Sequence, residues 1–204
     1  MSGKVISTSD SLRDEILRKA IHIGAGIAIS VLYSMYQRNL LITLLLLSLF
    51  FVFSLEALRL KGILTVPLLR DMEKKKIGAY AFFMMGAFMS ILLFERQIAI
   101  ASILMLAIGD AASGIAQSIK RRTLDILEGY KRGMKPSDEI LIMFGVSFLV
   151  GYVIVDSITI AICGAIGAAI ADGVHLKIYG IVIDDNLTIP LYSGLLMSLV
   201  ARAF

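Results

Sequence analysis

Long apolar stretches without a charged residue are the strongest constraint on the fold of this chain. Seven such runs are present, and two of them are interrupted, by His22 and by Asp110 respectively. The runs cover residues 20–37, 40–55, 77–94, 97–119, 140–155, 157–171 and 187–201. A helix needs about 20 mostly apolar residues, and no fewer than about 17, to cross a bilayer core about 30 Å thick. The sequence therefore predicts an all-α, polytopic integral membrane protein with about seven transmembrane helices, several of them short.

The composition excludes a water-soluble domain. Of 204 residues, 58% are hydrophobic and only 18% are charged, with a mean hydropathy of +0.85, which leaves too little polar surface for solubility. We expect one domain over residues 1–204, with a polar loop at about 120–138. The polar N-terminus runs directly into a long helical pattern, so the first span is expected to remain in the mature protein. The single cysteine, Cys163, excludes an intrachain disulfide.

The distribution of Lys and Arg predicts the orientation. If the N-terminus is cytoplasmic, all but three of the 20 basic residues fall on the cytoplasmic side, the exceptions being Arg38, Arg96 and Arg202. The reverse orientation would break the positive-inside rule at almost every loop. The N-terminus and the loop at 120–138 are therefore predicted to be cytoplasmic.

Asp110 is the first candidate functional residue because it lies within an apolar run, in the segment Ile108-Gly109-Asp110-Ala111-Ala112-Ser113-Gly114. A carboxylate at membrane depth is costly unless it faces the bundle interior and has a partner, so a functional role is the first interpretation. The surrounding small residues permit the close approach of a helix or a ligand. A purely structural ion pair with Lys or Arg is the alternative.

A second group of candidates opens the first run. Arg18 and His22 are four residues apart and share one helix face, next to Lys19. A guanidinium beside an imidazole suits phosphate binding, although basic residues that anchor a helix at the headgroups would look the same. Arg59 follows the second run, three residues after Glu56. This spacing permits either a structural ion pair or a place in the site.

The remaining polar positions lie at the ends of the later runs. Asp138 and Glu139 open the fifth run, where the helix dipole favours acids. Asp172 and His175 close the sixth run, and neither is assigned a role. The seventh run is preceded by Asp184-Asp185-Asn186-Leu187-Thr188, which offers either helix caps or a set of hard oxygen ligands suited to Mg²⁺.

All these groups fall on one membrane side in the predicted orientation. Oxygen ligands for a cation, together with cations for phosphate, are what phosphoryl transfer to a membrane-embedded alcohol needs. A transporter is the alternative from another class, but the opposite half of the predicted helices has almost no ionisable residues. A purely structural membrane subunit would leave the acidic clusters unexplained.

Three segments resemble the motifs of the CTP-dependent lipid-alcohol kinases, which include dolichol kinase, phytol kinase and the CTP-dependent diacylglycerol kinase and are related to the phosphatidate cytidylyltransferases. The segment 15–22 resembles the opening Glu-x-x-Arg-Lys-x-x-His motif of the family. The segment 109–113 resembles its Asp-x-Ala-Ser/Ala element, and 185–191 its terminal Asp-Asn-Leu-Thr-Val/Ile-Pro-Leu signature. Of the Lys-Ser/Thr-x-Glu-Gly-Ser motif only Lys135 and Asp138 align, and Gln117 stands where the family has a glycine.

The resemblance implies transfer of the γ-phosphate of CTP to the hydroxyl of a membrane lipid alcohol, a polyprenol or dolichol in the first place, then phytol or a diacyl- or dialkylglycerol. The nearest enzymatic alternative is a phosphatidate cytidylyltransferase-like CDP-lipid synthase, which would attach CMP to a lipid phosphate and release pyrophosphate. The expected partners are CTP as co-substrate, the alcohol, membrane lipids and Mg²⁺ or another divalent cation, with no nucleic acid; a homo-oligomer remains open.

The residues predicted for this reaction fall into three roles. Asp110 and His22 are the catalytic candidates. Asp110 is also a candidate metal ligand, together with Asp185 and Asn186. The candidates for binding the nucleotide and its phosphates are Arg18, Lys19, Arg59, Lys135, Asp138 and Thr188.

Overall fold

The computed structural model describes residues 8–66, 76–124, 135–174, 177–178 and 181–203, and helices account for most of them. The helices are α1 (Thr8–Met35), α2 (Arg38–Leu60), α3 (Ala79–Leu93), α4 (Arg96–Leu104), α5 (Asp110–Leu124), α6 (Ser137–Val155), α7 (Ile158–Gly173) and α8 (Asp185–Ala201). A π-helical segment, Met105–Gly109, joins α4 to α5 without a break. Two short antiparallel strands, β1 (Lys177–Ile178) and β2 (Ile181–Val182), precede α8. The helical fold class is confirmed apart from this small ribbon.

Four helical segments are long and apolar enough to cross a bilayer, and they are Arg13–Met35, Arg38–Leu60, Arg96–Lys120 and Ser137–Val155. Two more apolar helices, α3 and α7, are shorter, with 15 and 16 residues. At 1.5 Å per residue each rises only about 22–24 Å, less than the thickness of a hydrocarbon core. The apolar helices thus define a membrane-embedded protein, whereas the count of seven spans and the cytoplasmic N-terminus stay predictions.

The predicted loop at 120–138 is shorter in the structure. Helix α5 continues to Leu124 and α6 begins at Ser137, so both ends of the predicted loop are helical. Residues 125–134 of that loop lie outside the described residues. Because residues 120–122 are Lys-Arg-Arg, the apolar run ends at residue 119, before the end of the helix at Leu124.

The core takes side chains from α1, α2, α3, α4, α6, α7, α8 and the π-helical segment, and many of the side chains at the helix contacts are small. Ala99, Ala101, Ala165 and Ala168 are fully buried, which lets neighbouring helices approach closely, as is usual in membranes. Helix α2 lies at the edge of this bundle. It buries one face and leaves large apolar side chains such as Phe50 exposed on the other, as expected for a surface that faces lipid.

Two of the three basic residues outside the predicted cytoplasmic side cap the ends of neighbouring helices. Arg38 donates a hydrogen bond to the carbonyl of Leu92 at 2.6 Å, near the end of α3. Arg96 donates to the carbonyl of Tyr36 at 3.2 Å, and its guanidinium lies 5.2 Å from the ring centroid of Tyr33. Cations are favourable at helix C-termini, so these two arginines have a structural reason for their position.

Helices α7 and α8 touch through their backbones at Gly167, and we expect Gly167→Ala to lower the free energy of unfolding by about 1–3 kcal/mol. A Cβ at this position would lie 2.6 Å from the carbonyl oxygen of Tyr192 and 2.9 Å from the backbone nitrogen of Ser193. Backbone atoms cannot move aside as the end of a side chain can. Thermal unfolding of the detergent-purified protein measures the change.

Gly145→Ala is the matched control for this substitution. Gly145 lies within α6, and a Cβ added there meets nothing within 4 Å. Alanine is a better helix former than glycine, so this variant should gain about 0.5–1 kcal/mol. Equal effects of the two substitutions would contradict a close backbone contact between α7 and α8.

Candidate functional site

Three carboxylates from three helices converge at one end of the bundle. Asp110 is the first residue of α5, Asp172 lies in the last turn of α7, and Asp185 is the first residue of α8. One oxygen of each lies within 4.8 Å of the others. Asp110 and Asp172 are buried, whereas 38% of the Asp185 side chain is exposed. The cluster is therefore closed on the protein side and open at Asp185.

Two lysines neutralise part of this negative charge. Lys19 Nζ lies 2.5 Å from Asp110 Oδ2 and 3.2 Å from the backbone carbonyl oxygen of the same residue. Lys135 Nζ lies 2.5 Å from Asp172 Oδ1 and 3.9 Å from Asp185 Oδ2. Burial alone would lower the pKa of Lys135, but the neighbouring carboxylates, Asp172 foremost, outweigh it and hold that pKa above its usual range. Three acids and two ammonium groups leave the cluster with one net negative charge.

The local backbone around Asp110 explains how the cluster forms. The π-helical segment ends directly before Asp110, and the extra residue in a π turn changes the face on which the following residues lie. A Cβ at Gly109 would lie 2.8 Å from Met143 Sδ, and one at Gly114 would lie 2.7 Å from Lys19 Cε. The two glycines therefore admit α6 and the Lys19 side chain, in agreement with the prediction that small residues permit close approach.

A chain of hydrogen bonds extends from the start of α8 to His22. Asn186 donates through its backbone nitrogen and its side-chain Nδ2 to Asp184 Oδ1, at 3.0 and 2.6 Å. These bonds turn Asn186 Oδ1 towards His22 Nε2, 2.8 Å away. Burial, and then the charge of Asp185, raises the pKa of Asp184 to about 7. The ring of His22 also packs edge-to-face on Phe83, with the centroids 4.4 Å apart.

Several residues predicted for the site have other partners. Arg59 makes a buried ion pair with Glu56, at 2.6 Å, and donates to the carbonyl of Lys76. Asp138 accepts two hydrogen bonds from Lys120 at an exposed position, 2.7 and 2.9 Å long. For Arg59 and Asp138 the structure therefore favours local pairing over a place beside the three carboxylates.

Arg18 and Thr188 belong to helices that reach the cluster. Arg18 forms an ion pair with Glu15, one turn earlier on α1, and directly precedes Lys19 in the chain. Thr188 is buried in the first turn of α8, next to the predicted ligands Asp185 and Asn186. The predicted phosphate-binding role of Arg18 and Thr188 therefore stays a prediction.

Sequence reasoning missed Asp172, which was left without a role. The sequence contained a pattern that could have indicated it, because Ala161, Ala165, Ala168 and Asp172 follow one another at helical spacing. The structure buries all four residues. Asp172 therefore continues the small-residue face of α7 towards the bundle interior, where Ser113 Oγ donates to its Oδ2 at 3.1 Å. His175, also left without a role, lies outside the described residues.

Glu139 is the second residue that sequence reasoning passed over. It continues a row of buried positions on α6, at four-residue spacing with Met143, Ser147 and Gly151. Asp138 points away from this row to the exposed surface. Glu139 accepts a hydrogen bond from Gln117 Nε2 at 2.8 Å, so the acid that faces the interior at the start of α6 is Glu139.

No protein-family model, no curated protein and no solved structure matches this chain. The class of the protein is therefore defined by its fold and its site, as a membrane-embedded helical protein with a buried cluster of carboxylates and lysines.

Proposed function

We propose that this protein is a CTP-dependent kinase that transfers the γ-phosphate of CTP to the hydroxyl of a membrane lipid alcohol of the polyprenol or dolichol type. The observation that carries the proposal is the convergence of Asp110, Asp172 and Asp185 with Lys19 and Lys135. Acidic ligands for a divalent cation and ammonium groups for phosphate are the two requirements of phosphoryl transfer. The motif resemblance at 15–22, 109–113 and 185–191 supports the choice of CTP and of a lipid alcohol.

The carboxylates fit a divalent cation such as Mg²⁺. Hard oxygen atoms are the preferred ligands of Mg²⁺, at 2.0–2.1 Å, so that ligands on opposite sides of the ion are about 4 Å apart. Oxygens of Asp110, Asp172 and Asp185 already lie within 4.8 Å of one another, so all three carboxylates are close enough to contact one ion. Asp110, Asp172 and Asp185 would hold the cation, which would supply neutralisation of the charge that develops on the phosphate groups.

Lys19 and Lys135 are suited to exchange partners during nucleotide binding. Each now lies 2.5 Å from a carboxylate oxygen, where it compensates an acid that would otherwise be buried and unpaired. With the carboxylates coordinated to a cation, the ammonium groups of Lys19 and Lys135 would be available to the phosphate oxygens. The lysines would thus stabilise the carboxylate cluster before the nucleotide binds and the charge of the transferred phosphoryl group afterwards.

His22 is better placed than Asp110 to accept the proton of the lipid hydroxyl. Asp184 holds the amide of Asn186 so that its Oδ1 faces His22 Nε2. Nε2 of a neutral imidazole then carries the proton, which leaves Nδ1 as the basic nitrogen. Asp110, in contrast, is bound by Lys19. The hydroxyl oxygen forms a bond to Pγ, the bond from Pγ to the bridging oxygen breaks, His22 takes the proton, and CDP leaves.

The test uses CTP labelled in separate reactions at the α- and γ-phosphate, with purified protein, Mg²⁺ and a panel of polyprenol, phytol and diacylglycerol in micelles. We expect the label to reach the lipid from the γ-position only, with polyprenol as the preferred acceptor. Label from the α-position would instead indicate a CDP-lipid synthase and overturn the kinase proposal. Absence of label from both positions with every acceptor, in protein that remains folded, would overturn the enzymatic proposal as a whole.

A further inference from the structure

The pair formed by the half-buried Gln117 and the buried Glu139 has no part in the chemistry described so far. Glu139 lies in the first turn of α6 with a relative exposure of 3%, and Gln117 belongs to α5. The amide nitrogen of Gln117 lies 2.8 Å from Glu139 Oε2. A carboxylate on the buried face of α6, paired with an amide of α5 in a membrane-embedded protein, needs a reason.

Among the described residues, the acid of this pair accepts one side-chain hydrogen bond, from Gln117. Among the described side chains, no Lys or Arg forms an ion pair with Glu139, so that its described side-chain partner is a neutral amide. A carboxylate offers about four acceptor positions, and an amide has two N–H donors and a carbonyl. The dipole of α6 favours a negative charge at this turn, but it does not explain why an amide stands opposite. Within the described part of the chain, the pair therefore retains both a donor and an acceptor for a further group.

The position of the pair relative to the carboxylates is set by the periodicity of α5. Asp110, Ser113, Gly114 and Gln117 follow one another at intervals of three, one and three residues, which places them on one helix face. Asp110 and Gln117 are two turns apart, about 10 Å along the axis. Between them, Ser113 donates to Asp172, and Gly114 leaves the space that Lys19 occupies. One face of α5 thus connects the proposed phosphate end of the site to the Gln117–Glu139 pair.

We propose that Gln117 and Glu139 recognise the nucleobase of the bound nucleotide through an exocyclic amine and the neighbouring ring nitrogen. This inference rests on the proposed function, because it needs a nucleotide whose phosphates lie at Asp110, Asp172 and Asp185. A free oxygen of Glu139 accepts a hydrogen bond from the amine, as acids do from the N4 amine of cytosine, and the second N–H of Gln117 donates to the unprotonated ring nitrogen. Cytosine and adenine share this edge, whereas uracil and guanine present a carbonyl beside a ring N–H.

The test measures equilibrium binding rather than turnover. The dissociation constants of CTP, ATP, UTP, GTP and a CTP analogue without the 4-amino group are determined by calorimetry on the full-length protein in detergent with Mg²⁺. We expect the wild type to bind CTP at least about tenfold more tightly than UTP and the analogue, since a buried hydrogen-bonding site rejects a ligand that leaves it unpaired. ATP and GTP are included because adenine has the same amine edge as cytosine and guanine does not, while neither is a pyrimidine. Tighter binding of ATP than of GTP would indicate recognition of the amine edge rather than of the pyrimidine ring.

Glu139→Gln is the decisive variant, because an amide can rotate to accept from an amine or donate to a carbonyl. In this variant the preference for CTP over UTP and over the analogue should fall by about tenfold or more, while UTP binding improves. Gln117→Met, which removes the donor but keeps the length of the side chain, should weaken CTP binding without favouring UTP. Glu95→Gln, which removes an exposed carboxylate just before α4, is the matched control and should leave all five constants unchanged.

The possible outcomes separate this inference from the proposed function. Equal affinity of the wild type for CTP, UTP and the analogue would overturn base recognition by this pair, and so would an unchanged preference in folded Glu139→Gln protein. The wild-type comparison needs no variant and therefore holds even if a substitution prevents folding. Failure of the wild type to bind any of the five nucleotides would overturn the proposed function itself.

Discussion

Asp110→Asn is expected to lower the rate of γ-phosphate transfer from CTP to a lipid alcohol by at least about 100-fold. Asp110 is the carboxylate that α5 contributes to the cluster. An asparagine keeps the shape of the side chain but loses the negative charge that binds a divalent cation. The measurement is incorporation of γ-label into lipid by purified protein at saturating CTP and Mg²⁺. Activity within a few-fold of the wild type would remove Asp110 from the mechanism.

The same substitution also leaves Lys19 as a buried cation without its carboxylate, so stability and activity must be separated. Breaking a buried ion pair by removing one partner costs about 3–5 kcal/mol, and the Lys19 and Asp110 side chains are both 8% exposed. We expect the double variant Asp110→Asn/Lys19→Met to recover most of this stability, because it removes the stranded charge. Its activity should remain as low as that of Asp110→Asn. Recovery of activity together with stability would mean that the pair is purely structural.

Asp172→Asn is expected to weaken binding of Mn²⁺, used as a probe for the divalent cation, by about 10–100-fold. Asp172 is one of the three carboxylates in the cluster, and its oxygen is held by Ser113. Electron paramagnetic resonance of free Mn²⁺ in a titration with protein, in the absence of nucleotide, gives the affinity independently of turnover. Since Lys135 also lies 3.9 Å from Asp185, the loss of stability should be smaller than for Asp110→Asn.

Glu95→Gln is again the control for this titration, because it removes one negative charge from the exposed residue that precedes α4. It should change Mn²⁺ affinity by less than about twofold, since charges separated by more than a Debye length of about 10 Å are screened at moderate salt. If Asp172→Asn and Glu95→Gln had the same effect on Mn²⁺ affinity, the probe would be reporting net charge alone, and the cation site would have to be abandoned.

Much of the candidate site could be predicted from the sequence, because an ionisable residue in an apolar run is conspicuous. Lys19 and Asp110, predicted separately, are joined in one ion pair, and His22 and Asn186 in one hydrogen bond. The choice between neighbours was harder. At the start of α6 the sequence offers Asp138 and Glu139 side by side, and only the helical phase set by packing decides which of them is buried.

Arg59 shows a different limit of the sequence. Its spacing from Glu56 was compatible with both a structural ion pair and a place in the site. Hydropathy cannot distinguish a basic side chain that binds phosphate from one that is paired with a neighbouring carboxylate. The structure pairs Arg59 with Glu56 and with the carbonyl of Lys76, beside the start of α3. The choice between the two roles depends on the position of the Lys76 carbonyl, just before α3, and the residues of α2 do not determine that position.

The sequence by itself determined that this protein is helical and embedded in a membrane, because hydrocarbon leaves no partner for backbone polar groups and each apolar run must satisfy them internally. Only the tertiary structure decided which charges meet. Asp110, Asp172 and Asp185 come from different helices, and their convergence depends on the π-helical turn before α5 and on the backbone contact of α7 with α8. Such contacts follow from the shapes of packed surfaces, which a one-dimensional pattern of apolar and polar residues does not contain.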